Sequence, residues 1–265
     1  MDRTLFLCPH SRAVEQCLFH RVFDVRTDRC TSILLKQRAF LEKEKERSSM
    51  ISPAIYKEYV AELLKGNKRT CSDMVKQLLD EGTEIEDIYF GLFHRSMYEV
   101  GRLWEQNEIS VATEHLATAI TEMLLSQVYP LIFRGERKDR SIVISCGVNE
   151  LHQLGAKMVA DYCEFLGWDT HFLGANTPMD ALIELVAEKQ PNVLGLSVSI
   201  TSHLKGFTET TEKIKHSFPQ LPVIAGGRAF AEASACNLIS EDDVTVIDGF
   251  DQLQKHLGSL SCVTA

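Results

Sequence analysis

The first clear pattern in the chain is a helical spacing of apolar residues between positions 50 and 133. It predicts four helices, over residues 53–66, 68–81, 85–103 and 111–128. Their ends carry the usual signals: Ser52 and Ser110 stand at N-cap positions, Pro53 at a first helical position, and Gly82 just beyond the second helix. Four helices joined by short connections predict an antiparallel four-helix bundle.

A second pattern follows the charged segment 134–140, because short apolar runs now alternate with helical segments. Strands are predicted at 141–146, 170–173, 193–198, 222–225 and 244–247. The intervening helices are predicted to end at 166 and to span 179–188, 203–216, 229–237 and 250–257. Five such β-α units predict an α/β fold with a doubly wound five-stranded parallel sheet, and right-handed crossovers favour a flavodoxin-like strand order.

The chain is therefore expected to have three parts. Residues 1–49 are interpreted as an extension or linker, residues 50–133 as the four-helix bundle, and residues 140–265 as the α/β domain. No compact helix-turn-helix pattern is evident in residues 1–49. Cys8, Cys17 and Cys30 lie there, but their spacing fits no zinc site, so all eight cysteines are expected to be reduced thiols.

Composition narrows the class of protein. The chain has 45% hydrophobic and 25% charged residues, no run of 18 apolar residues and no signal-peptide pattern, so a cytoplasmic protein is expected. The net charge of −9 disfavours direct binding of nucleic acid, which requires concentrated lysine and arginine.

The candidate functional residues lie in the loops that follow the predicted strands. All these loops lie at the same edge of a doubly wound sheet, so their side chains become neighbours. The loops span residues 149–155, 174–178, 197–202 and 226–228. A lone histidine such as His152 is usually solvated or structural, and a lone glycine usually serves turn geometry, so the combination carries the prediction.

The spacing of the loop residues is specific. Glu150-Leu151-His152-Gln153-Leu154-Gly155 is followed after 41 residues (156–196) by Ser197-Val198-Ser199, and after 26 more (200–225) by Gly226-Gly227. This order and these gaps resemble the fingerprint of the cobalamin-binding domain, Asp-x-His-x-x-Gly, Ser-x-Leu and Gly-Gly. Glu150 replaces the aspartate of that fingerprint and Ser199 replaces its leucine.

The resemblance implies roles for these residues. His152 would be the lower axial ligand to cobalt, in place of the dimethylbenzimidazole of the cofactor. Glu150 and Ser197 would fix the tautomer of His152 and tune its basicity. Gly155, Ser199, Gly226 and Gly227 would line a slot for the displaced nucleotide tail.

A second motif lies in the predicted bundle, where Trp104 is followed after nine residues by Glu114 and His115. In isolation this motif favours a core tryptophan and a solvated Glu-His pair. Before a cobalamin domain, it resembles the light-responsive, adenosylcobalamin-binding regulators of the CarH type and the AerR/PpaA type. That resemblance implies that Trp104 covers the upper face of the corrin and contacts the adenosyl group, with Glu114 and His115 alongside.

The sequence departs from that family at the position after the tryptophan. Some photoreceptors keep there a histidine that captures cobalt after photolysis, whereas this chain has Glu105. A carboxylate is a poorer partner for Co(III) than an imidazole. His10, His20, His94 and His115 are left as alternatives.

The leading hypothesis is an adenosylcobalamin-binding photoreceptor or transcriptional regulator that acts through a protein partner, with methyl- or hydroxocobalamin as other forms of the cofactor and a light-dependent homo-oligomer as a further possibility. It assigns no catalytic residue. The alternatives are a corrinoid carrier protein of a methyltransferase system and a small subunit of an adenosylcobalamin mutase. The expected cofactor-binding residues, with His152 as the metal ligand, are Trp104, Glu114, His115, Glu150, Leu151, Gln153, Leu154, Gly155, Ser197, Ser199, Thr201, Gly226 and Gly227.

Overall fold

A computed structural model describes residues 51–134, 136–231 and 244–260. The predicted extension over residues 1–49, with its cysteines and histidines, lies outside the described residues. The first part is helical, with α1 at Pro53–Leu64, α2 at Lys68–Asp80, α3 at Ile85–Asp87, a π-helix at Ile88–His94, α4 at Arg95–Glu105, α5 at Val111–Val128 and a 3-10 helix at Tyr129–Arg134.

The helix ends follow the signals in the sequence. The side chains of Ser52 and Ser110 accept hydrogen bonds from the backbone N–H groups of Ile55 and Thr113, at 3.3 and 3.1 Å. Asn107 has a positive φ of 58° and ends α4. The segment 85–103 is helical as predicted, but Ile88–His94 in its middle is a π-helix, which the apolar spacing did not indicate.

The second part is an α/β domain. Its elements are β1 at Ser141–Cys146, α6 at Leu154–Phe165, β2 at Asp169–Phe172, α7 at Met179–Lys189, β3 at Val193–Ser197, α8 at Leu204–Ser217, β4 at Val223–Gly226, β5 at Thr245–Val246 and α9 at Phe250–Leu260. All strand pairs are parallel, in the order β2-β1-β3-β4-β5. The predicted flavodoxin-like order is confirmed.

Short helices occupy two of the connections that follow strands. A 3-10 helix at Thr201–His203 precedes α8, and another covers Arg228–Ala231 after β4. Of the helix predicted at 229–237, only this 3-10 turn lies in the described part of the chain. Within that part, no helix is long and apolar enough to cross a membrane.

Two hydrophobic clusters lie on either side of the sheet. One contains Val143, Leu196 and Phe207 and packs the sheet against α7 and α8. The other is continuous between the two domains, since it joins bundle residues such as Phe93 and Leu124 to Ile144 of β1 and to α6 and α9. The bundle is therefore packed against one face of the α/β domain.

The centre of this contact is an aromatic group that we call the interdomain seam, formed by Tyr89, Phe90, Asp161, Tyr162 and Phe250. The Phe90 ring lies 5.1 Å from that of Tyr162 and 4.2 Å from that of Phe250, centroid to centroid. The buried hydroxyl of Tyr89 donates to Asp161 Oδ2 at 3.1 Å. All five residues are buried, so the seam holds the π-helix against α6 and α9 by contacts from which water is excluded.

Contacts at the edge nearer the strand-end loops are polar. Gln153 Nε2 donates to Glu122 Oε1 at 3.2 Å, and Arg228 Nη2 lies 2.7 Å from Glu105 Oε1. The guanidinium lies beside Gly101, where an added Cβ would make an ordinary contact at 3.5 Å from Arg228 Nη1. We call these two pairs the loop-side contacts. They join the bundle to the β1 and β4 loops through half-exposed or partly exposed side chains.

Candidate functional site

The loop after β1 presents the predicted His152. Its backbone turns through Asn149, which has a positive φ of 65° and donates its N–H to Asn176 Oδ1 at 3.0 Å. The Glu150 N–H closes the turn on the Gly147 carbonyl at 3.0 Å. Asparagine is one of the few residues that adopts this left-handed conformation readily. The turn directs the Glu150 side chain inward, where it is fully buried.

The Glu150 carboxylate joins two loops. Oε1 accepts the backbone N–H of His152 at 2.9 Å and lies 2.6 Å from His152 Nδ1. Oε2 accepts the backbone N–H groups of Ser199 and Ile200, at 2.8 and 3.3 Å, and lies 3.2 Å from His203 Nδ1. A buried carboxylate with several donors is stabilised as an anion.

The pKa values reflect this arrangement. Burial raises the pKa of Glu150, but hydrogen bonds from His152, Ser199 and His203 outweigh it, and the pKa falls to about 2. The hydrogen bond to Glu150 raises the pKa of His152, against the effect of burial, and nearby Glu114 adds to the increase. Because Glu150 is ionised at neutral pH, it accepts hydrogen bonds only, so Nδ1 of His152 carries the proton.

The second nitrogen of His152 is therefore the one suited to a metal. The side chain is 58% exposed although its partner Glu150 is 0% exposed. With the proton held at Nδ1, neutral His152 keeps its lone pair on Nε2. A histidine whose other nitrogen bonds a carboxylate is the usual arrangement for a ligand in metal sites.

The predicted glycines serve different purposes. Gly227 has φ +110°, and a Cβ there would lie 2.3 Å from the Val198 carbonyl oxygen, so this glycine is required by the chain itself. A Cβ on Gly226 would make only an ordinary contact, at 3.5 Å from the Ile247 oxygen. A Cβ on Gly155 would meet no described atom within 4 Å. Open space for a ligand therefore borders Gly155 rather than Gly227.

The residues predicted in the bundle lie at the end of α4 and the start of α5. Trp104 is 47% exposed, so it is not a core residue. Glu114 accepts from Thr118 Oγ1 at 2.9 Å and pairs with His115 Nδ1, and the His115 side chain is 74% exposed. The turn through Asn107 and the cap at Ser110 place both helix ends together.

Contacts across the domains show which predicted residues come together. Glu114 is close enough to His152 to raise its pKa, and Glu122, two turns further along α5, contacts Gln153. Glu105, next to Trp104, contacts Arg228, next to Gly227. Helix α5 therefore faces the β1 loop, and the end of α4 faces the β4 loop.

The remaining predicted residues divide into exposed and structural positions. Leu151 is 69% exposed, whereas Leu154 is buried at the start of α6. The Gln153 side chain accepts the Ala175 N–H at 3.2 Å and so ties the β1 loop to the β2 loop. Ser197 accepts the Gly147 N–H through its backbone carbonyl, at 3.0 Å. Ser199 and Thr201 are partly buried in the β3 loop.

Sequence reasoning missed His203 and Glu122, and it named Arg228 in the loop at 226–228 without its partner Glu105. His203 immediately follows the loop predicted at 197–202, and its position at the mouth of a predicted helix was the available signal. Of the histidines considered for the upper face, His94 contacts the ring of Tyr98 in a tilted arrangement and that of Phe250 edge-on, at 4.5 and 5.7 Å between centroids. His10 and His20 lie outside the described residues.

Comparison with known protein families identifies both domains. Residues 140–255 match the model of the B12 binding domain, and residues 55–129 match a second B12 binding domain model. The HTH-type transcriptional repressor CarH of Myxococcus xanthus is 29% identical over 133 residues, which are 49% of this chain and 44% of that protein. The chain thus matches less than half the length of this repressor.

Corrinoid proteins are similar over more of their length. Dimethylamine corrinoid protein 1 of Methanosarcina mazei is 24% identical over 167 residues, which are 62% of this chain and 76% of that protein. The solved structure of the monomethylamine corrinoid protein of Methanosarcina barkeri has a TM-score of 0.68 at 14% identity, covering 78% of this chain and 98% of that chain. This structural likeness establishes a common fold.

Proposed function

Because this chain carries both B12-binding domains, we propose that it is an adenosylcobalamin-binding photoreceptor or transcriptional regulator that signals through a protein partner. The observation that carries the proposal is that His152, oriented by Glu150, is exposed in a strand-end loop, while the exposed Trp104 stands next to Glu105, which contacts the β4 loop. When bound, adenosylcobalamin supplies a cobalt–carbon bond that visible light can break.

The residues present fit a corrinoid. The macrocycle supplies four ligands to cobalt, so the protein needs to add only one donor, and His152 has one nitrogen held by Glu150 and an exposed side chain. Gly155 borders open space, which is what an inserted nucleotide tail requires. Leu151 and Trp104 expose large apolar surfaces beside the loops, as a largely apolar ligand requires.

We assign the residues roles on this basis. His152 would hold the cobalt of the cofactor through Nε2, and Glu150 holds the ring in the tautomer that leaves Nε2 available. Trp104 would contact the bound cofactor from the bundle and exclude water from it. Glu114 and His115 border the same space. Gln153 and Arg228, which contact Glu122 and Glu105 of the bundle, transmit a change in the space between the domains to the surface that a partner recognises.

The response to light tests this proposal. The protein loaded with adenosylcobalamin in the dark should change its visible spectrum and its oligomeric or partner-bound state after illumination with green light. The Trp104→Ala variant should lose its preference for adenosyl over methyl or hydroxo forms. A spectrum and a state of association that both stay the same after illumination would contradict the sensor.

The lower ligand has its own control. We expect His152→Ala to shift the visible spectrum to that of a cofactor without histidine ligation and to weaken binding. His171→Ala, on β2, is a matched control that should behave as wild type. If His152→Ala and wild type have the same spectrum, His152 does not bind the metal.

A second candidate, a corrinoid carrier protein of a methyltransferase system, is favoured by the longer matches to corrinoid proteins. Such a carrier must expose the upper face of its corrinoid to partner proteins, whereas in this chain the buried interdomain seam holds the bundle beside the loops. A carrier would accept and donate a methyl group with a partner methyltransferase in the dark, and would show no light-dependent association. These two outcomes separate the candidates.

A further inference from the structure

Glu150 is shared by two imidazoles that come from different loops. His152 Nδ1 lies 2.6 Å from Oε1, and His203 Nδ1 lies 3.2 Å from Oε2. Each oxygen of this carboxylate already accepts a backbone N–H, from His152 at Oε1 and from Ser199 at Oε2, so the group acts as an acceptor and each Nδ1 that faces it carries the proton. Both rings are therefore in the same tautomer, with Nε2 directed away from Glu150.

We propose that His203 is a positioning residue for the lower ligand, which acts by holding Oε2 of Glu150 so that Oε1 keeps the His152 ring in place. This inference rests on the proposed function, because it assumes that His152 is the ligand. It replaces the role that the resemblance gave to Ser197, which enters the described network through its backbone carbonyl.

The geometry gives His203 a specific part in this network. A carboxylate can rotate about its terminal carbon–carbon bond unless both oxygens have partners, and three donors fix Oε2. Two of them are the backbone N–H groups of Ser199 and Ile200, which belong to the same loop as His203. His203 is the side-chain donor to Oε2, and it stands at the junction between the 3-10 turn and α8.

This position also links the ligand to helix α8. The ring of His203 is largely shielded, with 23% of its side chain exposed, whereas the carboxylate is fully buried. A shift of the start of α8 would therefore change the orientation of Glu150 before it changed His152. Partners of a ligating histidine commonly alter metal affinity by about 10- to 100-fold, and a residue one step further away is expected to have a smaller effect.

The tautomer of His152 tests the proposal without the cofactor. Nitrogen-15 NMR of the unloaded protein, above the pKa of His152, should show the proton on Nδ1 in wild type. His203→Ala should give a mixture of the two tautomers. His203→Asn should restore the wild-type state, because its amide nitrogen occupies the position of Nδ1 and donates in the same way. Unchanged tautomers in His203→Ala would overturn the proposal.

The loaded protein provides an independent measurement. His203→Ala should weaken binding of adenosylcobalamin by about three- to tenfold and increase the histidine-free form in the visible spectrum, with recovery in His203→Asn. His216→Ala, at the exposed end of α8, should resemble wild type, and Ser197→Ala should have a smaller effect than His203→Ala. If Ser197→Ala has the larger effect, the serine is the positioning residue and the proposal is wrong.

Failure of this inference can be distinguished from failure of the proposed function. If His152→Ala leaves the spectrum unchanged, axial ligation by His152 is wrong, and the spectral role of His203 is wrong with it. If His152→Ala loses the ligated spectrum while His203→Ala keeps it, only the role of His203 is wrong. If His203→Ala and His203→Asn both lower the melting temperature and neither keeps the tautomer, His203 is a packing residue and the proposal is overturned.

Discussion

The interdomain seam and the β1 loop each contain a buried carboxylate, and the two carboxylates have opposite properties. Asp161 in the seam has the Tyr89 hydroxyl and the Lys157 ammonium as partners, at 3.1 and 3.3 Å, and burial raises its pKa. Burial also acts on Glu150, but its backbone and imidazole donors outweigh it and lower the pKa to about 2. The number and kind of donors, rather than burial, decides whether a buried acid is held as an anion.

This difference separates two functions of the domain contact. The seam contains packed rings and a poorly solvated acid, so it serves to hold the bundle on the α/β domain. The loop carries a stable negative charge, which orients His152 and keeps its Nε2 available. The loop-side contacts join the bundle to the β1 and β4 loops and consist of partly exposed polar pairs. The seam is therefore expected to contribute most to the stability of the domain contact, whereas the loop-side contacts can rearrange when a ligand binds.

The largest expected effect comes from removing a ring of the seam. Phe90→Ala should lower the free energy of unfolding by about 3–5 kcal/mol, because a buried ring in contact with Tyr162 and Phe250 is lost. Urea unfolding of the unloaded protein measures this. Trp104→Ala removes a larger ring on the loop side, but should cost less than about 2 kcal/mol, because half of that ring is already in water. Equal losses of unfolding free energy in the two variants would show that the seam contributes no more to stability than the loop side does.

The next effect is the dependence of stability on pH. Because the pKa of Glu150 is lowered from its usual value of 4.5, the ionised carboxylate stabilises the fold above pH 4.5. This contribution to the free energy of unfolding, up to about 3 kcal/mol, is lost as the pH falls toward 2. The raised pKa of His152 stabilises the fold below pH 6.5 and is lost as the pH rises through the folded-state value. In Glu150→Gln, the free energy of unfolding measured with urea between pH 3 and 8 should show smaller changes at both ends of this range.

Asp161 gives the matching control, with the opposite sign. Its raised pKa means that the fold favours the protonated acid. The contribution of Asp161 to the free energy of unfolding is therefore complete below pH 3.8 and is lost as the pH rises through the folded-state pKa. Asp161→Asn removes a contribution that acid strengthens, so the acid-induced loss should become larger than in wild type. A change in the same direction in both variants would show that the two carboxylates are equivalent.

The smallest effect is expected at the loop-side pair of Glu105 and Arg228. Both side chains are about half exposed, so a double-mutant cycle with Glu105→Gln and Arg228→Gln should give a coupling below about 1 kcal/mol. This coupling should shrink further in about 1 M salt, which screens exposed charges, whereas the loss in Phe90→Ala should not change. A coupling that is large and insensitive to salt would make this pair a second fixed contact.

Much of this arrangement could be predicted from the sequence, because regular spacing reflects local physics. The apolar period gave the helices within a few residues, and the strand runs with right-handed crossovers led to the observed strand order. The same reasoning brought the loops of Glu150, Ser199 and Gly227 to one edge. These features depend on residues that are close in sequence or on rules that hold for any parallel sheet.

The missed features depend on pairings between distant segments. His203 and Glu150 are 53 residues apart, and Arg228 meets Glu105 across the two domains. Several donors compete for each acceptor, and no spacing rule selects among them. The π-helix was missed for a related reason, since it preserves a continuous helix and an apolar face while changing only which carbonyl each N–H reaches.

That π-helix has a consequence for how the fold can change over evolution. A π-helical turn behaves as a one-residue insertion in an α-helix, and each residue turns a helix by about 100°. Deleting one residue within Ile88–His94 would restore a regular helix and rotate Trp104 by about a quarter of a turn relative to Phe90. In a lineage that lost this residue and kept Phe90 in the seam, the tryptophan would face elsewhere. The direction of the Trp104 side chain is thus set by the number of residues between Phe90 and Trp104, and not by the identity of either ring.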